Sequence, residues 1–326
     1  MSAAASIRAR IDQFLAERRR LGFKQDSLAY ALRSFASHVK AVGHHGPLTV
    51  EVMADWARRD SHGSIDPHTW ARRLKSLRSF TRWFQQFEPR TEVPDDAIFG
   101  RLPERLAPHI YSQQEIIDLL AAARQLGPTP GLRGIVFETL FGLLAATGLR
   151  ISEALALCNA HVDLKCGMLT VRQTKFTKSR HVPLQASAVA ALRRYRCERD
   201  RSGESTNEDA PFFVGTRGCR RGKPLGDRQV HRIFAELREQ LGWRNRGAHH
   251  APRIHDLRHT FVVRRIVLWH EQGVDIDQAM LSLSTYVGHA MITNTYWYLS
   301  AVPELMGLAA KRFEAFLPQP EVSNAQ

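Results

Sequence analysis

Residues 147–155 read Thr147-Gly148-Leu149-Arg150-Ile151-Ser152-Glu153-Ala154-Leu155. They follow Gly131 to Ala146, a stretch whose apolar composition, despite Arg133 and Glu138, predicts a buried helix. Thr147-Gly148 ends that helix, because glycine accepts the left-handed conformation that closes a last turn. Arg150 therefore stands at a helix end against a core. Alone, it is either a cation favoured by the helix C-terminal dipole or a guanidinium that forks onto phosphate. Glu153 is either an exposed helix carboxylate or a residue that orients its neighbours.

Working outward, Met168 to Arg172 and Arg180 to Leu184 read as two strands around a turn. Helices are expected at about 187–200, 227–241, 256–270 and 276–286, and an amphipathic segment at 303–317. Upstream, Ser112-Gln113-Gln114-Glu115 is a capping box that opens another helix. Residues 89–110 carry Pro89, Pro94, Pro103 and Pro108 and read as a linker. Residues 1–88 read as helices. Ile7, Ile11, Phe14, Leu15 and Leu21 keep helical spacing before Gly22, and Leu28 to Val42 repeat it before Gly43. A shorter helix spans Thr49 to Arg59. Asp66-Pro67 starts another, with an N-cap and a first-turn proline.

The expected fold is mainly α with a small antiparallel β-sheet in the C-terminal domain. The expected domains are 1–88, a linker 89–110, and 111–326 with a C-terminal helix at 303–317. The length of 326 residues, at ~150 per domain, agrees with two.

Composition limits the function classes. With 44% hydrophobic and 24% charged residues the chain is ordinary globular material, not collagen, coiled coil or disordered sequence. Lys and Arg number 46 against 32 Asp and Glu, a net charge of +14, which points to a polyanionic partner. Both parts share the excess: residues 1–108 hold 18 basic and 12 acidic side chains, the rest 28 and 20. The first residues lack the apolar core of a signal peptide, and no stretch is long and apolar enough to span a bilayer. A cytoplasmic protein with no membrane contact is the expectation. Cys158, Cys166, Cys197 and Cys219 show no C-x-x-C spacing, so free thiols are expected.

Three more clusters carry chemistry. Thr174-Lys175-Phe176-Thr177-Lys178-Ser179-Arg180-His181-Val182-Pro183-Leu184 forms the hairpin, where Lys175 alone reads as part of a solvated basic turn. His255-Asp256-Leu257-Arg258-His259-Thr260-Phe261 places His255 and Arg258 on one helix face. Val287-Gly288-His289 is followed nine residues on by Tyr298. His289 alone reads as a satisfied core histidine and Tyr298 as a packing residue, with Tyr296 a rival. His249, His250, His255 and His259 crowd together, but their spacing fits no usual zinc pattern, and no metal is expected. On the helix after Asp66, Arg72, Arg73, Lys75, Arg78 and Arg82 lie largely opposite the apolar side. They read as a solvated face or as DNA-backbone contacts.

In order and spacing, the four clusters resemble the tyrosine recombinases, the phage-integrase family, over roughly residues 110–300. Residues 1–108 bear only a general likeness to that family's helical core-binding domain. The resemblance implies a DNA site-specific recombinase that works through a covalent 3′-phosphotyrosine, serves a mobile element and needs no cofactor. It implies Arg150 and Arg258 as phosphate clamps, with Glu153 orienting the site. Lys175 becomes the acid for the leaving 5′ oxygen, although Phe176 departs from the small residues the family usually has there. His255 becomes the general acid/base, His289 a hydrogen-bond donor to the phosphate, and Tyr298 the nucleophile. Double-stranded DNA becomes the partner, bound by a homo-tetramer or with sister recombinases. Two rivals remain at this point: a non-catalytic DNA-binding or architectural protein with the same fold, and a metal-dependent nuclease. The second lacks a carboxylate cluster, since Glu153 and Asp256 are the only acids inside the motifs.

Overall fold

The computed structural model describes residues 6–23, 25–59, 63–100, 105–127, 131–172, 179–301 and 305–307. The chain divides into two compact units, Met1–Arg105 and Leu106–Gln326.

The first unit holds α1 (Ile7–Arg20), α2 (Asp26–Ala41), α3 (Val50–Arg58) and α4 (Pro67–Phe84). Local signals set the boundaries. Thr49 caps α3, and Asp66 caps α4 by accepting from His68 and Thr69, with Pro67 in the first turn. The apolar stripes meet in one core: Phe14 and Phe80 approach to 5.7 Å, and Phe35 meets Trp56 at 5.6 Å. The chain passes from one unit to the other within 89–110, and several described residues of that segment are packed. Thr91 is buried, Glu92 accepts from the Val50 amide, and Phe99 packs on Trp70 at 5.7 Å. At the other end, His109 is buried in the second unit and Ala107 accepts from the Ala248 amide. Prolines marked the absence of helix here; they did not mark an absence of tertiary contact.

The second unit contains α5 (Gln113–Arg124), α6 (Leu132–Thr147), α7 (Ile151–Leu155), β1 (Val162–Asp163), β2 (Met168–Val171), β3 (Arg180–Pro183), α8 (Ala186–Arg201), α9 (Asp227–Leu241), α10 (Ile254–Glu271), α11 (Ile276–Val287) and α12 (Thr293–Ala301). The sheet is antiparallel in the order β1-β2-β3, with Val171 opposite Arg180. Helix α6 supplies Phe137, Leu140, Phe141 and Leu144 to the main core, which explains its near absence of polar positions. A second cluster joins Val262, Val263 and Ile266 of α10 to Met280, Leu283 and Val287 of α11, and takes in Tyr298 and Leu305. Of the helix expected at 303–317, only Leu305–Gly307 are described, and they are helical. Among the described residues no helix is long and apolar enough to cross a membrane.

Candidate active site

Two helix ends and one helix start converge in the second unit. Gly148 closes α6 at φ +62°, and a Cβ there would meet the Phe261 ring at 2.6 Å. Glycine is thus required twice, by conformation and by close approach. Its carbonyl accepts from Arg258 Nη1 at 2.7 Å. Gly288 closes α11 at φ +72°, and a Cβ there would meet the Arg180 guanidinium at 2.6 Å. Its carbonyl accepts from Arg150 Nη2 at 3.0 Å. Each of the two arginines is therefore held by the carbonyl of a glycine that closes a helix, an orphan group that a cation satisfies well.

Glu153 ties the arrangement together. It accepts from the Arg150 backbone amide at 3.0 Å and from Arg150 Nη1 at 2.8 Å. Arg180 grips the same carboxylate with two bonds of 3.0 and 2.8 Å, and its Nε donates to the Tyr286 carbonyl at 2.8 Å. Burial acts to raise the Glu153 pKa, but the hydrogen bonds and charge of Arg180, then of Arg150, outweigh it and hold the value near about 2. Glu153 is thus a fixed anion that orients Arg150.

Arg258 is buried, with Nη1 bound to Gly148. No hydrogen-bond acceptor among the described residues reaches its Nη2. Burial, then the charge of Arg150, lowers its pKa to about 10, still far above neutrality. Tyr298 lies close enough to act electrostatically on it. Arg150 keeps 37% of its side chain exposed, so it forms the open edge and Arg258 the floor.

His255 is exposed at the surface, yet surrounding protein, then Arg258 and Arg253, lower its pKa to about 4. It is neutral at physiological pH and a weaker base than an ordinary imidazole. His289 is half-buried, its Nδ1 lies 2.7 Å from Thr295 Oγ1, and its ring runs nearly parallel to that of Tyr298. The two candidate tyrosines diverge. Tyr298 is fully buried with its hydroxyl 2.7 Å from His259 Nδ1. Tyr296 sends its hydroxyl 3.4 Å from Asp277 on the surface. Lys175 lies outside the described residues.

Two residues at this site carried no assigned role in the sequence reading. Arg180 lies in the quoted hairpin stretch, and His259 in the quoted α10 stretch. For both, the signal was membership of a chemically dense motif, with a partner far away in the chain.

The basic residues of α4 differ in what they touch. Arg73 donates to the carbonyls of Trp56 and Ala57, both at 3.0 Å, and its guanidinium lies over the Trp56 ring at 4.3 Å. Arg78 donates to the Pro94 carbonyl at 2.7 Å and pairs with Asp96 at 3.0 Å. These two hold α3 and the 91–99 segment onto α4. Arg72, Lys75 and Arg82 are the exposed ones, three and seven residues apart on one stripe.

Residues 111–304 match the phage integrase family, and the chain belongs to that family. It is accordingly an enzyme of the tyrosine-type site-specific recombinase class. It is 37% identical over 314 residues to the Sinorhizobium fredii protein y4rB, which carries the name of an integrase/recombinase, covering 95% of this chain and 98% of the relative. It is 30% identical over 240 residues to the tyrosine recombinase XerD of Caulobacter vibrioides, covering 74% and 73%. Among solved structures, the Tn1549 transposon integrase bound to transposon right-end DNA shares the fold at a TM-score of 0.65 and 16% identity, covering 95% of this chain and 100% of that one. The XerH recombinase in a post-cleavage complex gives a TM-score of 0.58 at 18% identity, covering 89% and 79%.

Proposed function

We propose that this protein cuts and rejoins duplex DNA with Tyr298 as the nucleophile, in the service of a mobile element. The observation that carries the reading is Arg258: a buried guanidinium with one nitrogen that no acceptor among the described residues reaches, next to Arg150 and within electrostatic reach of a tyrosine. A buried cation in that state is matched by an anion that arrives from outside.

The chemistry follows from the charges. Attack on a phosphodiester builds negative charge on the non-bridging oxygens, and the two arginines, held in advance by Gly148, Gly288 and Glu153, stabilise it without reorganising. His289 adds a hydrogen bond to the same phosphate. His255, neutral at the working pH, exchanges protons at the site. Lys175 protonates the leaving 5′ oxygen. The phosphotyrosine keeps the bond energy, so a 5′ hydroxyl of a new strand restores the DNA. In the first unit, Arg72, Lys75 and Arg82 rest on the DNA backbone. The family model, XerD and the DNA-bound Tn1549 neighbour support the reading. The same reading has the protein act in the cytoplasm as a tetramer, of one chain or with sister recombinases.

The test uses a duplex selected for binding by the protein and nicked beside the cut, so that the intermediate is trapped. Wild type and Tyr296→Phe form a covalent adduct, mapped by mass to Tyr298, and Tyr298→Phe binds DNA without forming one. An adduct on Tyr296, or one that persists in Tyr298→Phe, overturns the proposal.

A further inference from the structure

A third histidine, besides His255 and His289, stands at the Tyr298 hydroxyl. His259 follows Arg258 on α10 and is buried, and its Nδ1 stands 2.7 Å from the Tyr298 hydroxyl. That is the short end of the hydrogen-bond range, and it is made away from water, where such bonds are strongest. Three aromatic neighbours fix the imidazole: His255 meets it edge-on at 4.8 Å, the Tyr298 ring lies at 5.4 Å and Trp297 at 6.2 Å. A ring clamped in this way presents Nδ1 to the phenol in one orientation only. His255 touches His259 on the exposed side.

We infer that His259 is the proton acceptor of the nucleophile, on the reading that Tyr298 is the residue that attacks. In cleavage, the O–H bond of Tyr298 breaks as its oxygen bonds to phosphorus, and the proton passes to Nδ1 of His259. The bond from phosphorus to the 5′ oxygen breaks, and that oxygen takes a proton from Lys175. In rejoining, the 5′ hydroxyl attacks phosphorus, and His259 returns its proton to the departing phenolate. The tautomer required before attack carries its hydrogen on Nε2. Among the described residues, His255 and Arg258 of α10 and His289, beyond the tyrosine ring, lie around the pair. Arg258 opposes a second cation at His259, and the negative charge that develops on the phosphate offsets it. His255 is left to act at the phosphate.

The experiment measures single-turnover adduct formation by the full-length protein on a duplex with sulfur in place of the bridging 5′ oxygen. That leaving group needs no acid, so the rate reports the tyrosine step. His259→Asn keeps an acceptor where Nδ1 lies but cannot hold the proton. Its rate is expected to fall about a hundredfold or more, with DNA binding and melting temperature kept. Placing 3-fluorotyrosine at position 298 makes the phenol more acidic and should restore His259→Asn by at least about tenfold, because an acidic phenol depends less on its base. A purely structural role would leave that deficit unchanged. If Asn lowers the melting temperature, His259→Gln replaces it in the same comparison. A His259 variant within about threefold of wild type, or a deficit indifferent to fluorotyrosine, overturns the inference. Adducts that map away from Tyr298 in wild type overturn the underlying reading, and this inference with it.

Discussion

Glu153→Gln isolates the charge on which the arginine frame depends. The carboxylate is 8% exposed and lies between Arg150 and Arg180, and its pKa stands near about 2 where an unperturbed glutamate has 4.5. Burial pulls the value up, and Arg180 followed by Arg150 pull it further down. Because the folded value lies below the unfolded one, the ionised group stabilises the fold. That contribution is complete above about pH 4.5 and is lost as pH falls toward about 2. The gap corresponds to about 3 kcal/mol at neutral pH, at ~1.4 kcal/mol for each tenfold change in proton affinity. Glutamine keeps the shape and one acceptor but leaves Arg180, with only 10% of its side chain exposed, without a counter-ion. Urea unfolding from neutral to acid pH measures the effect. At neutral pH the variant should be less stable by about 3 kcal/mol, and the difference should shrink toward zero as the wild-type carboxylate becomes protonated. Cleavage should fall with it, since Arg150 loses one of its anchors. A stability difference that stays constant down to about pH 3, or none at neutral pH, would refute the reasoning.

Arg258→Lys should leave DNA affinity within a few-fold and cost cleavage about 3 kcal/mol, roughly a hundredfold, since an ammonium cannot bond Gly148 and a phosphate oxygen in the same fork. Single-turnover cleavage at matched occupancy checks it, and near-normal turnover counts against the clamp. Replacing Arg72, Lys75 and Arg82 together by alanine should lower the salt slope of DNA binding by about 2 to 3, close to one per lost phosphate contact. Arg73→Ala should instead lower the melting temperature and leave the slope nearly unchanged; equal slopes for the triple variant and wild type would remove this face from the interface.

What was legible in the sequence was whatever the chain decides over a few residues. Ser112 and Glu115 form their capping box, Asp66-Pro67 starts α4, and Gly148 ends α6, each by bonds that span no more than four positions. The clustering of Arg150 and Arg258 has a similar local root: each donates to the carbonyl of a glycine that closes a helix. Distance in the chain limited the rest. Helical spacing put Arg72, Arg73 and Arg78 alike on one basic side of α4. The carbonyls of Trp56, Ala57 and Pro94, sixteen or seventeen positions away, tie Arg73 and Arg78 into the fold. Arg180 looked like one more cation of a basic hairpin until Glu153, 27 positions earlier, and Tyr286, 106 later, came into contact with it. His259 shows the same principle at the reacting centre. Its nearest relations in sequence are three other histidines, which invited a comparison with zinc sites. Its closest chemical relation is Tyr298, 39 positions on, brought to it because Val262, Val263 and Ile266 of α10 pack in the same cluster that buries the tyrosine. The apolar packing that makes the tyrosine look like a core residue is also what carries its hydroxyl to a base.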